Sequence, residues 1–124
     1  MNKERYLVWR YWNDFKKKLS TVISVPMASG DNVNTYRTSK DLMSYSGITR
    51  WTCPSSSVRN SLTNLPSDFP AYPDFEIEYR QVKSSGIGIQ TITGGSTSSV
   101  YVAKRFFKNN TWSPWFKVTL TEVT

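Results

Sequence analysis

The sequence predicts a mostly β protein of the α+β kind, with an N-terminal helix followed by a small antiparallel β-meander. Three observations predict it. Apolar residues near the start recur at helical spacing, apolar and polar residues alternate from residue 75 onward, and Gly and Asn pairs punctuate the alternating stretch. The chain has 124 residues, enough for one domain. The reading divides it into a helix over residues 1–25, a linker over 26–37 and a β-rich domain over 38–124.

The helix rests on Val8, Trp12, Phe15, Leu19 and Val22, spaced 4, 3, 4 and 3 residues apart, which forms one apolar stripe. Asn2 is a suitable N-cap, and Lys16-Lys17-Lys18 sit where cations complement the helix dipole. Val25-Pro26 ends the helix, because a residue before proline is pushed out of the helical region. Three uses of the stripe stand open. It can pack on the chain's own core, join copies of the chain through Val8, Trp12, Phe15 and Leu19, or lie on a membrane surface. Residues 26–41 are poor in apolar side chains, and Ser29-Gly30-Asp31-Asn32 is turn chemistry. Thr38 or Ser39 would cap one helical turn through residues 40–43.

Residues 54–74 hold four of the six prolines and read as an ordered loop. Phe75, Ile77 and Tyr79 then alternate with Glu76, Glu78 and Arg80, a half-buried strand. Ile87, Ile89 and Thr91 continue the apolar alternation, and Gly94-Gly95 is read as a hairpin turn. Val100 and Val102 lead a third strand into Arg105-Phe106-Phe107, and Asn109-Asn110 marks the next turn. Phe116, Val118 and Leu120 form the closing strand. Residues 48–53 are a candidate fifth.

Zero histidines and one cysteine, Cys53, exclude Ser-His-Asp and Cys-His catalysis, His-ligated metal, CxxC redox chemistry and cysteine-built zinc sites. No catalytic residue, cofactor or metal is expected. Asp74, Glu76 and Glu78 share a strand face and read as a solvated surface. Gly86-Ile87-Gly88 is too short for a phosphate loop. No run of eighteen apolar residues suggests a membrane span. The net charge of +7 is uneven: +4 over residues 1–20, zero over 21–102 and +4 over 103–117, with Glu122 after them. A positive chain is predisposed to anionic partners, though net charge does not say which, and nucleic acid is not the partner expected.

Lys104 to Lys108, with Trp112 and Lys117, interleaves bases and rings, a pattern seen in single-strand nucleic-acid binders and equally suited to sugars or anionic envelope polymers. On a strand, Lys104, Phe106 and Lys108 share one face while Arg105 and Phe107 share the other. The candidate site is accordingly Arg105, Phe107, Trp112, Trp115 and Lys117. The two tryptophans stand three apart around a rigid Ser113-Pro114 step, and they are either structural pins or ligand-facing rings.

The segment from Asn109 to Val118, with Trp-Ser-Pro-Trp at its centre, resembles the closing segment of knob domains in phage tail fibres and pyocin fibres. Leu42 to Ile48 is similar to their opening helical turn, Asn64-Leu65-Pro66 to their Asn-x-Pro loop, and residues 75–82 fall where their first long strand is expected. The resemblance covers residues 38–120; residues 53–74 are longer and richer in proline than the pattern, and residues 1–37 have no counterpart. It implies a knob-like β-module in a virion fibre, trimeric, that contributes to host-surface attachment without catalytic residues. The implied partners are other virion proteins, further copies of the chain and host cell-surface polysaccharide. The alternatives are a capsid-attached head fibre or decoration protein without receptor binding, and a single-stranded nucleic-acid-binding protein.

Overall fold

A computed structural model of the chain describes residues 3, 5, 7–11, 22–37, 47–83 and 86–124. It is built on one seven-stranded mixed sheet: β1 (Ile23–Pro26), β2 (Ile48–Thr52), β3 (Phe75–Gln81), β4 (Gly88–Gly95), β5 (Val100–Lys108), β6 (Thr111–Trp112) and β7 (Phe116–Val118). The order is β1-β2-β3-β4-β5-β6, and β7 joins β6 along the free edge of β5. From β2 onward every pairing is antiparallel, the meander that the alternating pattern predicts. Residues 3, 5 and 7–11 are helical. Among the described residues no helix is long and apolar enough to cross a membrane.

Residues 23–37 differ from expectation. Residues 23–26 are not the end of a helix but a strand, paired in parallel with β2 from Ile23–Thr49 to Pro26–Thr52. Pro26 is tolerated because β1 is an edge strand. Residues 26–37 are not a linker. Met27, Val33 and Tyr36 are buried in the core, and Tyr36 stacks on Trp51 with ring centroids 4.8 Å apart. A short 3-10 turn, Val33–Thr35, is capped by the Asn32 side chain, which accepts from the Asn34 amide at 2.9 Å. Val33 N donates to Thr63 O and Thr63 N to Asp31 O, which clips this segment to the loop after β2. The helical turn expected over residues 40–43, and Trp12, Phe15 and Leu19, lie outside the described residues.

The loop over 54–74 contains one helix, Ser56–Ser61, opened by Ser55, whose hydroxyl accepts from Val58 N at 3.3 Å. Its Arg59 donates to the Phe69 and Pro70 carbonyls, both at 2.9 Å, and so ties the proline-rich stretch to the helix.

The loops cover one face of the sheet. Inward-pointing residues are Thr49 and Trp51 on β2, Phe75, Ile77 and Tyr79 on β3, Gln90 and Ile92 on β4, and Tyr101, Ala103, Arg105 and Phe107 on β5. On β4 the alternation runs opposite to the apolar reading. Gly88, Gln90, Ile92 and Gly94 face inward, while Ile89 and Thr91 are on the outer face. The reason is steric. A Cβ on Gly88 would lie 2.4 Å from the Tyr79 ring, and one on Gly94 would lie 2.7 Å from the Phe75 Cβ. Each glycine is the small partner that lets neighbouring rings close over the strand. Gly94-Gly95 is thus the end of β4 rather than a turn, and the connection to β5 is made by residues 96–99. Asn109 and Asn110 do form the next turn, with φ of 52° and 59°, the backbone of a tight hairpin.

The outer face is divided. Near β2 and β3 it is charged, with Arg50 Nε 2.9 Å from Glu76 and its Nη2 3.4 Å from Glu78. Two of the three carboxylates are thus paired with a base. Near β5 and β7 it is apolar: Ile89, Phe106 and Phe116 line a groove of about 280 Å³, and Phe116 is 64% exposed.

Candidate functional site

Four of the five expected site residues meet on the inner face. Strand alternation turns Arg105 and Phe107 inward from β5. Trp112 pairs opposite Phe107, and its ring lies 4.9 Å from the Phe107 ring. Between β6 and β7 the chain leaves regular pairing at Ser113. Ser113 N donates to Phe106 O at 2.8 Å, and its hydroxyl accepts from Phe106 N at 2.8 Å, so one residue satisfies both backbone groups of Phe106. Pro114 follows, with no N–H to leave unpaired. This irregular step brings Trp115 to the same face as Trp112.

The result is a sandwich. The Arg105 guanidinium carbon lies 4.0 Å from the Trp112 ring centroid and 4.3 Å from that of Trp115. Arg105 is only 6% exposed. Its Nε donates to Gln90 Oε1 at 2.7 Å. Gln90, directly opposite in the register, donates in turn to the Val33 and Tyr36 carbonyls at 2.8 and 3.1 Å. The two indoles also reach out: Trp112 Nε1 donates to Asn34 O and Trp115 Nε1 to Asn64 O, both at 3.2 Å. Asn64 presents that carbonyl from a left-handed conformation, φ 67°. One charged centre therefore ties two loops to the sheet.

Burial lowers the Arg105 pKa to about 10, because dehydration disfavours the charged form. The ring faces offset part of that cost. A cation–π contact contributes about 0.5–1 kcal/mol when exposed and about 2 kcal/mol when desolvated. Arg37 extends the stack at its other end, with its guanidinium 4.3 Å from the Phe107 centroid. The sequence of groups is thus Arg37, Phe107, Trp112, Arg105, Trp115.

Lys117 is not part of the stack. It lies 3.5 Å from Asp68 Oδ2 and 5.3 Å from the Tyr101 ring centroid. Tyr101 donates to Asp68 at 2.6 Å, and that bond, with Lys117 adding to it, holds the Asp68 carboxyl below its ordinary value. Val8 is helical and 70% exposed. Sequence reasoning missed Gln90, Arg37 and Asn34, and marked Asn64 only as part of an Asn-x-Pro loop. Gln90 carried a local signal, a polar side chain between Ile89 and Thr91 with Ile92 just beyond, inside a strand.

Phe107 is buried with its face against Arg37, while Trp112 and Trp115, both half-buried, each turn one face to the Arg105 guanidinium. Among the described residues no group of His, Cys, Asp and Glu side chains could hold a metal ion. Comparison with known protein families, with curated proteins and with solved structures finds no match.

Proposed function

We propose that the chain is a virion structural protein of the phage-fibre class, a knob-like module for host-surface attachment that works as a homo-oligomer. The observation that carries this reading is a separation of roles. The body closes on itself through Trp-Ser-Pro-Trp, while Leu7, Val8 and Tyr11 leave large apolar side chains exposed on the N-terminal helical segment. A helical segment that leaves such groups in water is suited to burial against other copies, and the apolar stripe on β5 and β7 offers a second surface for assembly. The resemblance of the closing segment to fibre knobs supplies the class, and trimers are the assembly it favours.

Immunogold electron microscopy of particles tests the reading. Label at the tail tip, with adsorption lost when the protein is absent, is the expected result. Label on the head surface with adsorption intact identifies a decoration protein instead, and unlabelled particles refute a virion role. Light scattering tests the assembly. A chain beginning at residue 22 keeps β1 and is expected to fall to the monomer mass; an unchanged mass refutes assembly through the N-terminal segment.

A further inference from the structure

The Arg37 end of the stack opens into a cleft of about 330 Å³, lined by Arg37, Gly86, Ile87, Phe107, Lys108 and the Asn109-Asn110 turn. Its described lining holds two bases and no acid. The ion pairs of the described residues are elsewhere: Arg50 with Glu76 and Glu78, and Lys117 with Asp68. Arg37 Nε is buried and has no hydrogen-bond partner, although a buried donor without one costs free energy. The cleft is also lined by Asn109 and Asn110, whose left-handed backbone forms the tight turn after β5. Each side-chain amide carries both a donor and an acceptor, the complement of a hydroxyl.

We propose that this cleft binds an anionic sugar unit, with its oxyanion on the Arg37 guanidinium, drawn in by the Lys108 charge at the rim, and its hydroxyls on the Asn109 and Asn110 side chains. A guanidinium fork suits the paired oxygens of either a carboxylate or a phosphate, so uronic acids and sugar phosphates share the required chemistry. A nucleic-acid phosphate fits less well. The one aromatic ring in the cleft, Phe107, is 8% exposed and has its face covered by Arg37, which leaves no surface for a base to stack on. The inference rests on the attachment role for its biological meaning, since it names the ligand chemistry of that role.

Calorimetric titration of the full chain with glucose 6-phosphate, glucuronate, glucose, inorganic phosphate and a thymidine oligonucleotide tests the cleft. Both acidic sugars are expected to bind, with affinity falling as salt rises. Glucose and inorganic phosphate each lack half of the contacts and are expected to bind about tenfold more weakly or less. Arg37→Gln lowers acidic-sugar affinity about tenfold, the size of a lost charge-assisted bond, and Lys108→Gln lowers it by a smaller factor that shrinks as salt rises. Lys108 is exposed at the end of β5, so its variant reports on the cleft even where Arg37→Gln destabilises the fold. A double change of Asn109 and Asn110 to Gly keeps the turn backbone and reduces glucose 6-phosphate to the affinity of inorganic phosphate. Glucose 6-phosphate binding no tighter than phosphate, affinity unchanged in Lys108→Gln, or tighter binding of the oligonucleotide would each overturn the proposal. Immunogold location is independent of these titrations, so failure of the cleft and failure of the virion role are told apart.

Discussion

Two aromatic clusters sit on the same inner face and differ in what occupies their centres. Around Phe69 the contacts inside the core are ring against ring: Phe75, Tyr101 and Tyr72 meet it at centroid distances of 5.0, 5.1 and 6.0 Å and interplanar angles of 65°, 72° and 82°, while the half-buried Arg59 guanidinium lies 5.1 Å from its centroid, held by loop carbonyls. The ring pairs are edge-to-face contacts, with ring hydrogens directed at ring faces. Around Arg105 the arrangement is face against cation, and both indole faces are spent on one guanidinium. The first centre leaves water at little cost. The second carries a charge into the core, where Gln90 accepts from Nε while the buried Nη2 has no hydrogen-bond partner. Similar side chains thus build one cluster that is stable by area and another that is specified by polar partners.

The comparison is broken most strongly at the two centres. Phe69→Ala empties the ring cluster and is expected to cost about 3–5 kcal/mol in urea unfolding. Gln90→Leu is expected to cost a similar amount, about 3–5 kcal/mol, because the buried cation loses its acceptor and two carbonyls lose their donor. The clusters then part company on rescue. Adding Arg105→Met to Gln90→Leu removes the stranded charge and recovers roughly 2 kcal/mol in a double-mutant cycle. If Arg105→Met adds its own full cost instead, Arg105 is held by packing like Phe69, and the distinction collapses.

Gly88→Ala and Gly94→Ala come next. Each forces a methyl group against a ring or its stem and is expected to cost about 1–3 kcal/mol. The Gly94 change acts on the ring cluster and the Gly88 change on Tyr79, which packs edge-on against Trp112. Alkaline pH gives the smallest and most specific contrast. Burial raises the Tyr36, Tyr79 and Tyr101 phenols above their ordinary 10.0, with hydrogen bonds to Asp31 and Asp68 adding for Tyr36 and Tyr101. Their stabilisation is complete below pH 10 and is lost as pH rises through the raised values. Arg105 runs the other way. Its folded value near 10 lies below the ordinary 12.5, so the penalty for burying its charge is relieved across the same range. Three phenols outweigh one guanidinium, and Tm by circular dichroism is expected to fall above pH 10. Arg105→Met removes the opposing contribution, so the fall becomes steeper; an unchanged slope would show that Arg105 keeps its ordinary value.

Much of the sheet was legible because alternation is local. Phe75, Ile77 and Tyr79 face the core as their spacing predicts, and the Asn109-Asn110 turn is where its chemistry puts it. β4 was misread because its apolar residues, Ile89 and Ile92, fall on opposite faces, and the choice is made by glycines that have no side chain to announce it. Their role exists only in relation to Tyr79 and Phe75 on β3 and Phe69 in the loop before it. β1 was hidden for a different reason. Four residues ending in proline, paired in parallel with a partner 26 positions away at Ile23–Thr49, leave no local trace. The site was half visible. Alternation grouped Arg105 with Phe107, but that their face is the buried one follows from the Gln90–Arg105 register, which is a property of two strands together.

The parallel edge strand has a mechanical consequence. β1 connects the N-terminal segment to the body, and its bonds to β2 lie side by side along its length. Tension applied at residue 22 along the strand loads these bonds together, in shear, instead of peeling them one at a time. Met27 and Val33, anchored in the core just beyond, take up the load next. A load on the N-terminal side of β1, directed along the strand, is therefore resisted by the whole β1–β2 pairing at once.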